Sequence, residues 1–437
     1  MRLRRSVVIC GSVLSSIALV VVMLATPSTG ATMRHASTPG VSRHQIVLGA
    51  TTPLTGPAAP GYDEIAPATN AVFRYINAHG GIYGRNIKYD ILNDQYDPTL
   101  TVQMTRQLVE VDHEFAEVGA LGTPTQLAVE GYLKDEHIPD AFIESGCACW
   151  NDSHDPYVFG WQPDYVVEGK ILGHYVERHL DGRKVGYLYQ DDEFGIDGVR
   201  GLDAEIRHSA VVSRQTYQAT TAGLAAGLGS QIAAIKASGA KIVVLYTIPA
   251  ATALALLAAA ELNYHPLIVI SSVGSDPPTV GGLLSSFSKG KAGEALLNGV
   301  ISNAYLPLES DATNPWVILA KSILHKYDKG YHWDGNSEYG VSLGMSAVEM
   351  LRAAGKNLTR SSFMKALERD GHDIAAANLV PFDFSKTDHY GMSGSELVTI
   401  HNGSIKAISP LYVTTNKGKI YPYSGAAPKI PALFKQH

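Results

Sequence analysis

A chain of 437 residues is longer than one hydrophobic core usually supports, so its length argues for two lobes. With 45% hydrophobic and 17% charged residues it has the composition of an ordinary folded protein and not of a disordered one. A formal net charge of −6, no Lys/Arg run beyond the N-terminus and no aromatic-basic interleaving argue against a nucleic-acid partner.

Arg2, Arg4 and Arg5 precede an apolar run over 7–25, and small residues follow at Thr29 and Ala31. This order reads as a signal peptide over 1–31, cut after Ala31, with 32–44 as a polar tether. The body is then expected outside the cytoplasm, in the periplasm or on the outer face of the cytoplasmic membrane. The rival is a retained anchor, because the run nears spanning length, but Gly11, Ser12, Ser15 and Ser16 weaken it.

From residue 46 the pattern alternates. A strand over 46–51 leads through "TPLTGPAAPGYDE" to a helix over 65–78, whose apolar residues recur at helical spacing. Gly80 and Gly81 supply a left-handed cap and Gly84 a turn, before a strand in "IKYDIL". A helix over 100–111, a strand over 116–121, a helix over 126–136 and the strand "DAFIE" follow. Beyond Trp161 the plan restarts with a helix over 166–179 and the strand "KVGYLYQ". A helix over 196–209, "VVSRQTY", a helix over 232–237, "KIVVLYT", an alanine-rich helix and "LIVIS" complete it. Strands alternating with helices predict an α/β fold of doubly wound parallel sheets, and the number of units predicts two lobes.

In such sheets ligands bind beyond the carboxyl ends of the strands. The loops there are "TPLTGPAAPGYDE", "GTPTQ", "ESGCACWND", "QDDEFGIDG", "TIPA" and "SSVGSD". Their small, hydroxylated and aromatic residues suit a mostly apolar pocket with a few polar anchors. Thr123, Thr125 and Gln126 open a helix, where they are either caps or part of an anion-facing turn. Cys147 and Cys149 are the two cysteines left after the leader, and they are either packed thiols or a bridge closing a small ring. A metal site from them and His154 lacks a fourth ligand nearby. The trio Asp191, Asp192 and Glu193 reads as a solvated loop.

An enzyme finds little support. The run 340–344, Gly-Val-Ser-Leu-Gly, matches a nucleophile elbow and 79–81 resembles an oxyanion loop, but the elbow needs a preceding strand and "DGNSEY" is polar. No phosphate-binding glycine loop follows the first strand. No catalytic residue, cofactor or metal is expected.

The block from "IVLGATTPLTGPAAPGYDE" to "NDQYDP" resembles the opening of the type I periplasmic binding proteins, in the leucine/isoleucine/valine-binding branch. It carries a loop bounded by Gly49 and Gly56, the run Ile-Asn-x-x-Gly-Gly-Ile-x-Gly over 76–84, and a turn from Asp94 to Pro98. "TQLAVEGYLKDEHIPDAFIESG" and "YLYQDDEFGIDG" are similar to the same family. The resemblance implies two lobes joined by crossings near 160–164, 298–303 and 380–395. The N-terminal lobe would combine 45–162 with 303–380, and the other 163–302 with 381–437. It further implies a monomer that captures a solute and passes it to an ABC permease, with a ligand-sensing role beside a membrane receptor as the alternative and a secreted hydrolase a distant third.

Carried over by position, the family's serine after the third strand falls at Gly122, beside Thr123. Its small residue and threonine after the fourth strand fall at Cys147 and Cys149, its tyrosine at Phe194, and its acid at Val273, with Asp276 three residues on. An ammonium would then lack an acidic partner. The expected ligand is therefore a small organic solute (an amino acid, amide or carboxylate, with an α-amino acid disfavoured) held against Tyr62, Trp150, Phe194 and Tyr246.

Overall fold

The structure, a computed structural model, describes residues 38–151, 155–180 and 182–435. The leader, the first part of the tether and His154 lie outside the described residues. Strands β1 (Gln45–Thr52), β2 (Asn86–Asn93), β3 (Ala116–Val118), β4 (Asp140–Ile143) and β5 (Val158–Gly160) form a wholly parallel sheet in the order β2-β1-β3-β4-β5.

A second sheet holds β6 (Val185–Gln190), β7 (Val211–Tyr217), β8 (Ile242–Tyr246), β9 (Leu267–Ile270) and β10 (Ile301–Ala304). It is extended by β11 (Gly394–His401), β12 (Ser404–Ala407), β13 (Tyr412–Val413) and β14 (Tyr421–Pro422). The order is β14-β13-β11-β10-β9-β8-β6-β7, with β12 against β11. Strands β6 to β10 run parallel, whereas β11 to β14 pair antiparallel. The α/β fold with parallel sheets is as expected, and the antiparallel margin is an addition to it. The run "IVVLY" in β8 is buried at every position, as a strand covered on both faces requires.

Helix Ile65–Ala78 buries Ile65, Ala68, Val72, Tyr75 and Ile76 along one face. It ends where Gly80 and Gly81 adopt φ of 96° and 66°, and the Gly81 N–H donates to the Ile76 carbonyl at 2.9 Å. A Cβ at Gly81 would lie 2.1 Å from the Arg85 carbonyl oxygen, so only glycine admits the tight return into β2.

Helix Gly335–Ala353 packs on Ile65–Ala78, and helix Pro315–Tyr327 packs beside it. Helix Tyr165–His179 packs instead on helix Glu193–Glu205 and on β11. The chain therefore passes between the sides of the two sheets after β5, after β10 and before β11.

Two local expectations change, and the rejection of an elbow at 340–344 agrees with the structure. The helix expected over 126–136 is two short helices, Thr123–Leu127 and Glu130–Asp135. Asp192 is not part of a solvated loop: its carboxylate caps helix Glu193–Glu205, accepting from the Phe194 N–H at 3.1 Å and from Gln190 Nε2 at 2.6 Å. The elbow-like run 340–344 lies inside helix Gly335–Ala353, with Ser342 buried. Its glycines serve packing, since a Cβ at Gly340 would sit 2.2 Å from the Ile65 carbonyl oxygen.

Candidate functional site

Between the carboxyl ends of the two sheets lies a cavity of about 150 Å³. The first sheet contributes Leu121, Gly122 and Thr123 beyond β3, Glu144 beyond β4 and Gln162 beyond β5. The second contributes Phe194 beyond β6, Ile248 beyond β8, and Ser272, Val273 and Asp276 beyond β9. Tyr305 follows β10, while Glu338 and Tyr339 come from helix Gly335–Ala353. Parallel strands aim all their following loops at one end, and here two such ends face each other.

Of the residues singled out from the sequence, Tyr62, Gly122, Thr123, Phe194, Val273 and Asp276 line the cavity together. Gly122 holds φ of 112°, and a Cβ there would lie 2.4 Å from Thr125 Oγ1 and 2.6 Å from the Tyr96 ring. The glycine thus lets the Tyr96 ring come close. Thr123 Oγ1 is 2.7 Å from Ser145 Oγ.

Thr125, Cys147, Cys149, Trp150 and Tyr246 are not on the cavity wall. The Thr125 hydroxyl donates to the Leu121 carbonyl at 2.6 Å and so closes the helix start. Cys147 and Cys149 are disulfide-bonded, and Cys147 packs with Trp150, Ile143 and Val158 in a small core of its own. Trp150 Nε1 donates to the Ser145 carbonyl at 3.0 Å, which turns its ring inward. Tyr246 stands behind Phe194, ring centroids 5.7 Å apart, in a slot left by Gly198.

The acid expected at Val273 is supplied elsewhere. Four carboxyl side chains line the cavity, those of Glu144, Asp276, Glu309 and Glu338, and no Lys, Arg or His among the described residues does so. The expectation that an ammonium would find no acidic partner therefore fails, because these acids arrive from other elements. Asp276 is committed: Oδ2 accepts from the Thr279 N–H at 3.0 Å and hydroxyl at 2.7 Å, and Oδ1 from the Gly335 N–H at 3.0 Å. Burial, and then the Asp334 charge, lift its pKa to about 7. Burial alone pushes the Glu144 carboxyl well above the usual carboxylate range. Burial, followed by the nearby Glu309 charge, does the same to Glu338.

Direct hydrogen bonds tie the two sides together. The Tyr62 hydroxyl donates to the Val273 carbonyl at 2.7 Å, and Gln190 Nε2 to the Tyr96 hydroxyl at 3.1 Å. The Ala148 N–H, inside the disulfide loop, donates to Asp197 Oδ2 at 2.7 Å. These bonds bridge the cleft that holds the cavity. Sequence reasoning missed Glu144, Gln162, Tyr96, Tyr165, Tyr305, Glu338 and Tyr339, all of which line it. Glu144 carried a signal, as an acid directly after an apolar strand in a parallel sheet. Glu338 and Tyr339, on a helix remote in sequence, carried none.

Residues 45–404 match the family described as periplasmic binding protein, and the chain belongs to that family. It is 24% identical over 216 residues to an amino acid binding protein of Pseudomonas aeruginosa, a stretch spanning 47% of this chain and 55% of that relative. The fold is shared with several solved structures. One is a fatty acid ABC transporter substrate-binding protein from Thermomonospora curvata (TM-score 0.73, 20% identity, covering 92% of this chain and 96% of that one). Another is a branched chain amino acid ABC transporter from Thermus thermophilus with bound valine (TM-score 0.71, 19% identity, 91% and 99%). A third is a possible leucine/isoleucine/valine-binding protein from Rhodopirellula baltica (TM-score 0.73, 21% identity, 86% and 98%).

Proposed function

We propose that this chain captures a small organic solute outside the cytoplasm and hands it to an ABC importer, without converting it chemically. The observation that carries the reading is the cavity itself, walled from both sheets and bridged by hydrogen bonds from one side to the other. Two lobes closing on a solute bury it, and hinge opening releases it.

The size of the site narrows the solute. An apolar cavity of roughly 150 Å³ accommodates a benzene-sized molecule, so a long acyl chain would overfill this one. The lining of aromatic and aliphatic side chains with a few polar groups favours a compact, largely apolar solute with one or two polar atoms. Tyr62, Gly122, Thr123, Phe194, Val273 and Asp276 would touch it, while the disulfide loop, Trp150 and Tyr246 hold that wall in place. The amino acid, fatty acid and ABC transporter descriptions of the relatives support the importer role. The arginine-led apolar N-terminus supports export.

The test is a thermal-shift screen of residues 32–437 against amino acids, amides, amines, aromatic acids, fatty acids and small sugars. A solute at a hundred times its Kd stabilises by about 2.7 kcal/mol, enough to raise Tm measurably. Stabilisation by a compact solute is the expected result. No stabilisation by any class, together with no small molecule carried through purification in native mass spectrometry, would overturn solute capture.

A further inference from the structure

Glu144 differs from the other carboxyls on the cavity wall. It is 6% exposed, and neither of its carboxyl oxygens has a hydrogen-bond partner among the described residues. Asp276 is fully engaged, and Glu338, although its carboxyl has no side-chain partner among the described residues either, sits beside the Glu309 charge, whereas burial alone acts on Glu144. The Glu144 backbone is pinned: its N–H donates to the Ala120 carbonyl at 2.9 Å and its carbonyl accepts from the Gly122 N–H at 3.3 Å. The side chain fills the space over Gly119, where a Cβ would lie 3.1 Å from Oε1 and 3.1 Å from Leu343 Cδ2. Three tyrosines lie within reach of its charge, Tyr89, Tyr305 and Tyr339, and none donates to it; two of them are committed elsewhere. Tyr89 donates to the Val118 carbonyl at 2.8 Å and Tyr339 to Gln162 Oε1 at 2.9 Å.

A buried polar group left unpaired is costly and calls for a reason. Glu114, Glu117 and Asp140 are also buried without partners, but they do not line the cavity. Glu144 does, and a solute can supply what the protein withholds. The charge balance says what kind of solute. An anion would enter a site with four carboxyls and, among the described residues, no Lys, Arg or His, where only hydroxyl and amide donors such as Thr123 and Gln162 could replace its hydration. An amine would instead meet a carboxyl already desolvated and fixed in place. Burial favours the protonated form of that carboxyl in the empty site, and a neutral amine can take the proton to form the ion pair, while a neutral N–H group can donate to the carbonyl oxygen.

Resting on the solute-capture reading, we propose that Glu144 is the residue that receives an N–H group of the solute. The solute class is then compact apolar amines, with neutral N–H donors weaker and anions lacking an N–H group weaker still. The residue sets specificity and catalyses nothing.

Three probes share one ring and differ in charge: benzylamine, benzamide and benzoate. Calorimetric titration of the wild-type protein should rank benzylamine above benzamide, with benzoate at least about tenfold weaker than benzylamine. Glu144→Gln keeps the shape and removes the charge. It should weaken benzylamine by about tenfold or more while leaving benzamide within about threefold. Benzoate binding as tightly as benzylamine, or benzylamine unaffected by Glu144→Gln, overturns the assignment. The wild-type ranking needs no variant, so it stands even if Glu144→Gln fails to fold. Silence with all three probes overturns the amine class alone, since a hit of another class in the wider screen would leave solute capture intact.

Discussion

Tyr62→Phe tests whether the cleft is held by the bonds that cross it. The hydroxyl donates to the Val273 carbonyl at 2.7 Å, from the loop before helix Ile65–Ala78 to the turn beyond β9. Phenylalanine keeps the buried ring and removes only this bond. A neutral hydrogen bond contributes about 0.5–1.5 kcal/mol net, and more when the abandoned acceptor stays buried. The bond joins the two sides of the cleft, so it stabilises the closed form and not the open one. The loss then appears as a smaller closed fraction and an equal loss of affinity. About 1 kcal/mol corresponds to roughly fivefold in Kd. The assay is calorimetric titration of wild type and variant with whichever solute the screen returns, alongside the Tm of the solute-free proteins. Affinity unchanged within about twofold would refute the argument. A fall in the solute-free Tm at constant affinity would show that the bond serves the fold and not closure.

Gly340→Ala places a Cβ 2.2 Å from the Ile65 carbonyl oxygen, backbone that cannot turn aside, whereas Gly344→Ala meets Val72 Cβ at 3.0 Å. The gain of about 1 kcal/mol in helix propensity is outweighed at 340 by an overpacking cost of about 1–3 kcal/mol or more, and roughly balanced at 344. Urea melts should therefore show Gly340→Ala clearly destabilised and Gly344→Ala near wild type; equal effects would refute the packing role. Intact-mass measurement of the unreduced, alkylated protein should find no free thiol at Cys147 or Cys149, and labelling of both would refute the bridge. Burial lifts the carboxyls of Glu117, Asp164 and Asp383 to about 7, and burial with the Asp334 charge does the same to Asp276. Folded pKa values above the unfolded ones, near 4, mean that the native state holds protons the unfolded state releases. The contribution of these groups to stability should be full below about pH 4 and be lost as pH rises to about 7, and a Tm that climbs across that window would contradict these shifts.

The fold was legible because it rests on period and punctuation. Apolar strands alternating with amphipathic helices admit few arrangements, and the glycines at 80, 81 and 84 marked a return that the backbone angles bear out. The antiparallel margin was harder to read, since β12 to β14 are short and partly exposed and carry no long apolar run. The site divides along the same line. Residues that follow a strand end in sequence, such as Gly122, Thr123, Phe194 and Asp276, could be placed by rule. Side-chain direction could not. In the loop after β4 the cysteines and Trp150 drew notice by their chemistry, yet they turn into a small core, while Glu144, the plainer residue at the strand end, faces the cavity. Reading function by position assumes that an acid lost from one strand end is lost from the site. Two facing sheets offer several strand ends around one volume, so an acid absent after β9 can stand after β4 and still face the same cavity from the opposite wall. For such cavities the informative quantity is the summed charge of the whole wall, here four carboxyls and, among the described residues, no base, and not the residue at any one strand end.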